Sequence, residues 1–457
     1  MDVAISRSYR KWLIAPPVHL TAKTCPKVPF LKTVGYTLAM IWTVGPRNWD
    51  VAQKSVDQDR PTILASRLGR TEQDEHRRGG YDLPALFETT TLGTLTLKNR
   101  FVRSATWEGM AADDGSCPPA LIDAIAELAK GEVGLIISSH AIVSAEGRSS
   151  GWQVAAYDDR FIDGLARMAR AAHDHGSKIL LQLGHAGIRT PTALTGQDAL
   201  GPSMPVNPCD GPVRAMTLDE IERTIQAFVD AAHRARSAGY DGVQVHVAHG
   251  YLLSQFVSPH YNRRTDQYGG TTENRARIVL QILERIRESL GEAFHLQVKL
   301  NSEDFIDNGL TVAEMLRLAK LFAQTGIDAI ELSGGVTDPH GDEFPVREGL
   351  PQGDEDEVYY REAARRFKEQ IDVPLILVGG IRSYEVAKEL VDEQVADYIA
   401  LCRPLMCEPH LIARWKSGDT RKSLCDSCVE CLPRIRRGEG LCCVVTKVVH
   451  GKPVPSG

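Results

Sequence analysis

The sequence predicts a (β/α)8 barrel with an N-terminal extension and a short cysteine-rich tail, and three observations predict it. Eight short apolar runs alternate with helical segments between residues 83 and 420, the rhythm of parallel strands joined by helical crossovers. Side chains able to do chemistry stand just past the C-terminal ends of these runs, the end where such barrels keep their sites. A Gly-x-Gly-x-x-Gly turn after a first strand is absent, which disfavours an open sheet with a dedicated dinucleotide-binding domain.

Size and charge bound the answer. At 457 residues with 43% hydrophobic content, the chain buries one barrel-sized core plus appendages and has no room for a second large catalytic domain. The net charge of −6 is mixed along the chain, which argues against a nucleic-acid partner. Residues 1–82 read as an extension. Within 1–49 the bases Arg7, Arg10, Lys11, Lys23, Lys27, Lys32 and Arg47 face one acid, Asp2, a composition that suits a targeting peptide, a poorly ordered extension or a misassigned start. Residues 28–45 carry Pro29 and Lys32 and fall short of a membrane span, and 50–80 read as a linker. The expected location is the cytoplasm, or an organelle if the basic extension is a targeting signal. Expected partners are small molecules, with no membrane, and association into a homo-oligomer is left open.

Each element follows from the apolar spacing. A hairpin over 87–98 leads into the first barrel strand, 100–105. Helix 119–130 then precedes strand 133–138, helix 160–175 precedes 178–182, and helix 218–237 precedes 242–246. In the second half helix 272–289 precedes 295–300, 312–325 precedes 329–333, 358–370 precedes 374–378, and 384–393 precedes 396–401.

The stretch 232–277 organises the rest. Its strand ends in His246, followed three and five residues later by His249 and Tyr251. A single histidine there would more often be a satisfied core residue. The trio is harder to dismiss, because two imidazoles can aim N–H donors at one oxygen, and a phenol of pKa about 10 can give up a proton while staying neutral at pH 7. Such a set suits a carbonyl that is polarised while hydrogen is added to the adjoining carbon.

The run HVAHGYLLSQFVSPHYNRRTDQYGG followed by TTENRAR closely resembles the flavin-dependent old yellow enzyme family, in its bacterial NADH:flavin oxidoreductase branch of ene-reductase and 2,4-dienoyl-CoA reductase-like barrels. The resemblance implies FMN across the barrel mouth, NADH or NADPH as electron donor, and an α,β-unsaturated carbonyl substrate. His246 and His249 would hold the substrate oxygen and Tyr251 would protonate the α-carbon.

Other strand ends then acquire expected roles. Ser104, Ala105 and Thr106 would line one edge of the isoalloxazine ring. The Cys or Thr that the family sets beside the flavin carbonyl falls, counting from Asn99-Arg100, on Trp107, with Thr106 one residue earlier. The Gln182 amide can donate to and accept from the flavin's pyrimidine edge. After His185-Ala186-Gly187 the family's arginine is replaced by Ile188, and Arg189 is not carried over. Lys299, a cation inside an apolar strand, needs an anionic partner, either the reduced flavin near N1 and O2 or a neighbouring carboxylate. Gly379-Gly380 and Arg403, on the last two strand ends, suit a phosphate, by resemblance that of FMN.

Seven of the ten cysteines fall from Cys402 onward, which suggests a reducing compartment and a local metal or redox role. Cys425-x2-Cys428-x2-Cys431 followed by Cys443, or Cys442 in its place, resembles the 4Fe–4S ligands that longer family members carry after the barrel. Four thiolates also suit zinc, and unligated cysteines are the third reading. Beside the ene-reductase stand an NAD(P)H oxidase, an iron–sulfur-linked enoate or dienoyl reductase subunit, and a flavin-binding module without turnover.

Overall fold

The computed structural model describes residues 85–205, 211–336, 346–350 and 355–448; the extension 1–82 lies outside them. Strands β1 (Thr90–Leu92) and β2 (Leu95–Leu97) form an antiparallel hairpin. The barrel strands are β3 (Phe101–Arg103), β4 (Leu135–Ile142), β5 (Lys178–Gly184), β8 (Gly242–Val247), β9 (His295–Asn301), β10 (Ala329–Ser333), β11 (Leu375–Val378) and β12 (Tyr398–Leu401). Running parallel, they close with β12 against β3. A small parallel pair, β6 (Ala199–Gly201) with β7 (Val213–Ala215), interrupts the series.

The helices between them are α1 (Pro119–Lys130), α2 (Ile162–His173), α3 (Thr192–Thr195), α4 (Leu218–Ser237), α5 (Leu252–Val257), α6 (Thr272–Leu290), α7 (Val312–Ala323), α8 (Arg361–Lys368) and α9 (Tyr384–Asp392). The C-terminal α10 (Arg403–Cys407), α11 (Leu411–Lys416) and α12 (Cys431–Arg436) follow the last strand. Capping boxes Thr217/Glu220 and Thr311/Glu314 start α4 and α7 by giving the first-turn N–H groups acceptors. Among the described residues no helix is long and apolar enough to cross a membrane.

Alternation along the strands sorts their side chains. Outward residues of β8, β9 and β10, such as Val243, Val245, Val298, Leu300 and Leu332, join the apolar helix faces in one core cluster. Inward residues change character along the barrel axis. Near the N-terminal ends of the strands Val102, Leu135, Ile137, Leu180, Ile376 and Tyr398 pack together, and Leu92, Leu95 and Leu97 of the hairpin seal them from below. One step further along, the inward positions are Ser104, Gln182, Gln244, His246, Lys299, Asn301 and Glu331, all buried. Buried polar groups persist only where they find partners, so this upper layer is where a site can be built.

The elements missing from the sequence reading are β6, β7, α3, α5 and the tail helices, all too short to show a period. Strand β4 runs on to Ile142 because a one-residue register shift against β5, between Ile137 and His140, lets pairing resume after residue 138. The tail is not a separate unit. Met406, Ile435 and Leu441 form a cluster with Trp107 and Met110 packed against it, and a Cβ on Gly109 would lie 2.5 Å from Ile435.

Candidate active site

The floor of the mouth is a continuous polar network. Register places Lys299 between His246 of β8 and Glu331 of β10. The Lys299 ammonium donates to Glu331 Oε1 at 2.9 Å and to Ser104 Oγ at 2.7 Å, and Ser104 donates to the same carboxylate oxygen at 2.6 Å. Gln182 Nε2 donates to Gln244 Oε1 at 2.6 Å, and Gln244 Nε2 to Glu331 Oε2 at 2.7 Å. The carboxylate partner foreseen for Lys299 is therefore Glu331. A dry ion pair survives only when its remaining lone pairs are also satisfied, which Ser104 and Gln244 do here. Gln182 keeps its carbonyl oxygen and a second N–H to offer above the floor.

The trio stands on the loop after β8. His249 adopts a left-handed backbone conformation at φ 65°. This kink is fixed by its N–H donating to Asn301 Oδ1 at 3.2 Å and by a 2.8 Å hydrogen bond between its Nε2 and Ser333 Oγ. The His246 and His249 rings lie 5.1 Å apart, and Tyr251 lies 5.3 Å from His246. Burial, reinforced by nearby positive charge, holds both imidazoles well below pKa 6.5, so they are neutral donors at pH 7. Burial raises the Tyr251 phenol, against the pull of the Arg189 and Arg436 charges, so it keeps its proton. His246 Nδ1 is buried with no hydrogen-bond partner, which costs about 1–3 kcal/mol until a ligand group meets it.

A third histidine joins the trio. His140, at the end of β4, stacks on Tyr251 at 5.7 Å and 27° and lies 6.5 Å from His246. The sequence signal was a histidine two residues past the strand run 133–138, near a strand end like His246.

Gly379 and Gly380 have φ of 123° and 80°. A Cβ would lie 2.7 Å from Tyr360 Cε2 at the first and 2.2 Å from the Glu357 carbonyl oxygen at the second, so both positions require glycine. Arg403 begins α10, and its Nη1 donates to the Arg347 carbonyl oxygen at 2.7 Å. On the first strand end Thr106 Oγ1 donates to Ser104 O and sits 3.0 Å from Cys402 Sγ, while Ala105 packs against the lower inward layer. Trp107 is turned toward the tail, its Nε1 donating to Trp152 O at 3.4 Å. Thr106 thus carries the hydroxyl next after Ser104 on that loop. The residues fit a flavin in donor chemistry: an amide and a lysine at ring level, a glycine cradle with an arginine, and an orphaned imidazole nitrogen on the open side.

In the tail, Cys407, Cys425, Cys428, Cys431 and Cys443 line a cavity of about 20 Å³ together with Arg403. Cys442 does not. Its Sγ accepts from Arg434 at 3.4 Å, turned away from that cavity. Cys407, unmarked by any spacing in the sequence, lies in the same wall, and its thiol is the main cause that holds Cys443 down to about 5. Among the described residues no three His, Cys, Asp or Glu side chains converge as a single ion requires, so the zinc expectation gains no geometric support.

A closed parallel barrel with imidazoles, a phenol, an amide and a pair of left-handed glycines at the C-terminal ends of its strands has the layout of a barrel enzyme site. Residues 85–422 match the model of the NADH:flavin oxidoreductase / NADH oxidase family, and the chain belongs to that family. The family's description names NADH and a flavin as what its members use. The chain is 35% identical to the NADH oxidase of Thermoanaerobacter brockii over 76% of its length and 53% of that protein's. It is 31% identical to the 4,4'-dithiodibutanoate disulfide reductase of Rhodococcus erythropolis over 81% and 98%. Among solved structures, a 2-naphthoyl-CoA reductase complex aligns with TM-score 0.74 at 26% identity, covering 79% of this chain and 57% of that one. The old yellow enzyme homologue from Zymomonas mobilis aligns with TM-score 0.64 at 28%, covering 75% and 96%. The chain thus spans about half the length of the NADH oxidase it matches.

Proposed function

We propose that this chain uses NAD(P)H and FMN to reduce the C=C bond of α,β-unsaturated carbonyl compounds. The observation that carries the reading is the convergence of His246, His249 and Tyr251 on one space, with His246 Nδ1 buried and unpartnered. FMN, held at the mouth, would supply the two-electron hydride transfer from NAD(P)H to the alkene. The neutral imidazoles of His246 and His249 hold the carbonyl oxygen and stabilise the charge that builds on it. Tyr251 gives its phenolic proton to the α-carbon. Gln182 meets the pyrimidine edge, Lys299 supplies positive charge beside it, and Gly379, Gly380 and Arg403 hold the phosphate.

Arg189 and Arg436 both act on the Tyr251 phenol, so the mouth favours anionic substrates such as enoates and acyl-CoA thioesters. Relatives named for 2-naphthoyl-CoA and 4,4'-dithiodibutanoate agree with that preference. The cysteine-lined cavity suits a 4Fe–4S cluster held by Cys425, Cys428, Cys431 and Cys443 better than a single ion, because the thiols wall a space rather than meet at a point.

The test is colour. Yellow protein that bleaches with NAD(P)H under nitrogen and recovers its colour with 2-cyclohexenone is a reductase. Recovery with oxygen alone would leave the NAD(P)H oxidase, and inertness to NAD(P)H would leave a flavin-binding module.

A further inference from the structure

We infer that His140 binds substrate: its Nδ1 accepts an N–H, and the site thereby selects α,β-unsaturated carbonyl compounds that carry an amide or imide N–H a few bonds from the carbonyl. This rests on the reading of the mouth as an alkene-reducing site and narrows its substrates.

The position is built rather than incidental. In β4, Ile137 pairs with Leu180 of β5 but His140 pairs with Gln182, an extra residue on the β4 side. Strict alternation from the inward Ile137 would point residue 140 out of the barrel, and the bulge turns it in. Its ring then stacks on Tyr251 at 5.7 Å and stands 6.5 Å from that of His246. Gly184, the inward residue after Gln182 on β5, sets no side chain between the two imidazoles. A Cβ there would lie 3.6 Å from the Cβ of His140 and 4.0 Å from that of His246.

The proton on the ring is fixed from behind. Gln153 is buried, and backbone groups orient its amide: Nε2 donates to the His140 carbonyl oxygen at 3.1 Å, and Oε1 accepts from the Ser149 N–H at 3.0 Å. Ser149 Oγ lies 3.1 Å from the same Oε1. That oxygen can only accept, so the hydroxyl proton lies between them. A Ser149 lone pair then faces His140 Nε2 at 3.1 Å, a contact that is favourable only when Nε2 carries the ring proton. Nδ1 is left with a bare lone pair and, among the described residues, no partner. The residue keeps partial exposure, and burial holds the imidazole down to about 4, so the lone pair is unprotonated at pH 7.

His140 is thus an acceptor in a mouth whose other groups donate. A carbonyl oxygen held by His246 brings the atoms beside it toward His140. An N–H among them completes a hydrogen bond, whereas an ester or carboxylate oxygen sets lone pair against lone pair. Of the two anionic classes the mouth favours, acyl thioesters with an amide in the arm satisfy His140 and simple enoates do not.

The experiment uses the holoenzyme and two thioesters of equal size, S-(2-acetamidoethyl) and S-(2-acetoxyethyl) thiocinnamate, which differ by N–H against O. In wild type, kcat/KM should favour the amide by roughly tenfold or more, mainly through KM, because the contact is made alike in the ground and transition states. His140→Phe keeps a ring on Tyr251 but no lone pair, and the preference should vanish; Ser149→Ala frees the tautomer and should reduce it. Nitrogen-15 NMR of the oxidised wild type should show His140 with Nε2 protonated and Nδ1 bare. The saturated amide thioester, bound without turnover, should shift the Nδ1 signal and the saturated ester should not, a readout that needs no variant. A preference that survives His140→Phe, or an Nδ1 signal indifferent to the amide, overturns the role of His140 and leaves the reductase reading in place. If neither thioester nor 2-cyclohexenone reoxidises the reduced flavin, the reductase reading falls, and the Nδ1 shift alone decides whether His140 is an N–H acceptor.

Discussion

The Lys299 ammonium and the Glu331 carboxylate form a buried ion pair at 2.9 Å between neighbouring barrel strands. Two opposite charges taken out of water together hold each other, whereas one left alone does not. Glu331→Gln should therefore lower stability by about 3–5 kcal/mol, and a Lys299→Met/Glu331→Leu double variant should recover much of that loss. Urea unfolding followed by circular dichroism reads both, and the double variant should retain FMN less well than wild type.

Phenolate ligands should find the imidazole pair before any turnover begins. His246→Ala removes a donor worth about 3–4 kcal/mol, so phenolate binding to the oxidised enzyme should weaken by roughly a hundredfold or more. Because burial holds both rings well below the usual imidazole range, affinity from pH 7 upward should follow only the ionisation of the ligand. Titration of the long-wavelength absorbance with a phenol checks both statements.

Tyr251→Phe removes a proton and leaves the ring. Alkene reduction should slow by about 10²–10⁴, while flavin reduction by NAD(P)H persists. Stopped-flow measurement of the two half-reactions separates them, and equal loss of both would remove Tyr251 from the donor role.

Acid should undo the fold earlier than carboxylates alone would explain. His140 and His185 are each held down to about 4, chiefly by burial. The unfolded chain, with imidazoles near 6.5, binds protons there that the folded chain refuses. Stability is thus fully present above about pH 6.5 and is lost as pH falls toward 4, by roughly 3 kcal/mol per group. Unfolding free energies at pH 7, 6 and 5 should fall in that order.

The cysteines sort by the direction they face. Cys443→Ser should remove the iron of anaerobically purified protein, whereas Cys442→Ser, altering a thiol turned toward Arg434, should retain it. Metal analysis of the two variants decides, and equal loss would return Cys442 to the ligand set.

How much of this was legible depended on distance along the chain. His246, His249 and Tyr251 are neighbours in sequence, so one loop displayed them together. The barrel strands were visible because both faces of a parallel strand are apolar except where a site begins. Glu331 and Gln244 were hidden, although each is polar at an inward position, because only the register of β8, β9 and β10 brings them to Lys299 and Gln182. His140 was missed because a one-residue bulge decides which way it points, and apolar patterning does not reveal a bulge. Cys407 follows no ligand spacing; it reaches the cavity only because α10 turns it there.

That helix is five residues long. Arg403 at its start joins the segment beside the glycine cradle to the cavity wall, and Cys407 at its end lies in the same wall. Because both residues lie on one short helix, a change that displaces the helix should move the Arg403 contact and the Cys407 thiol together.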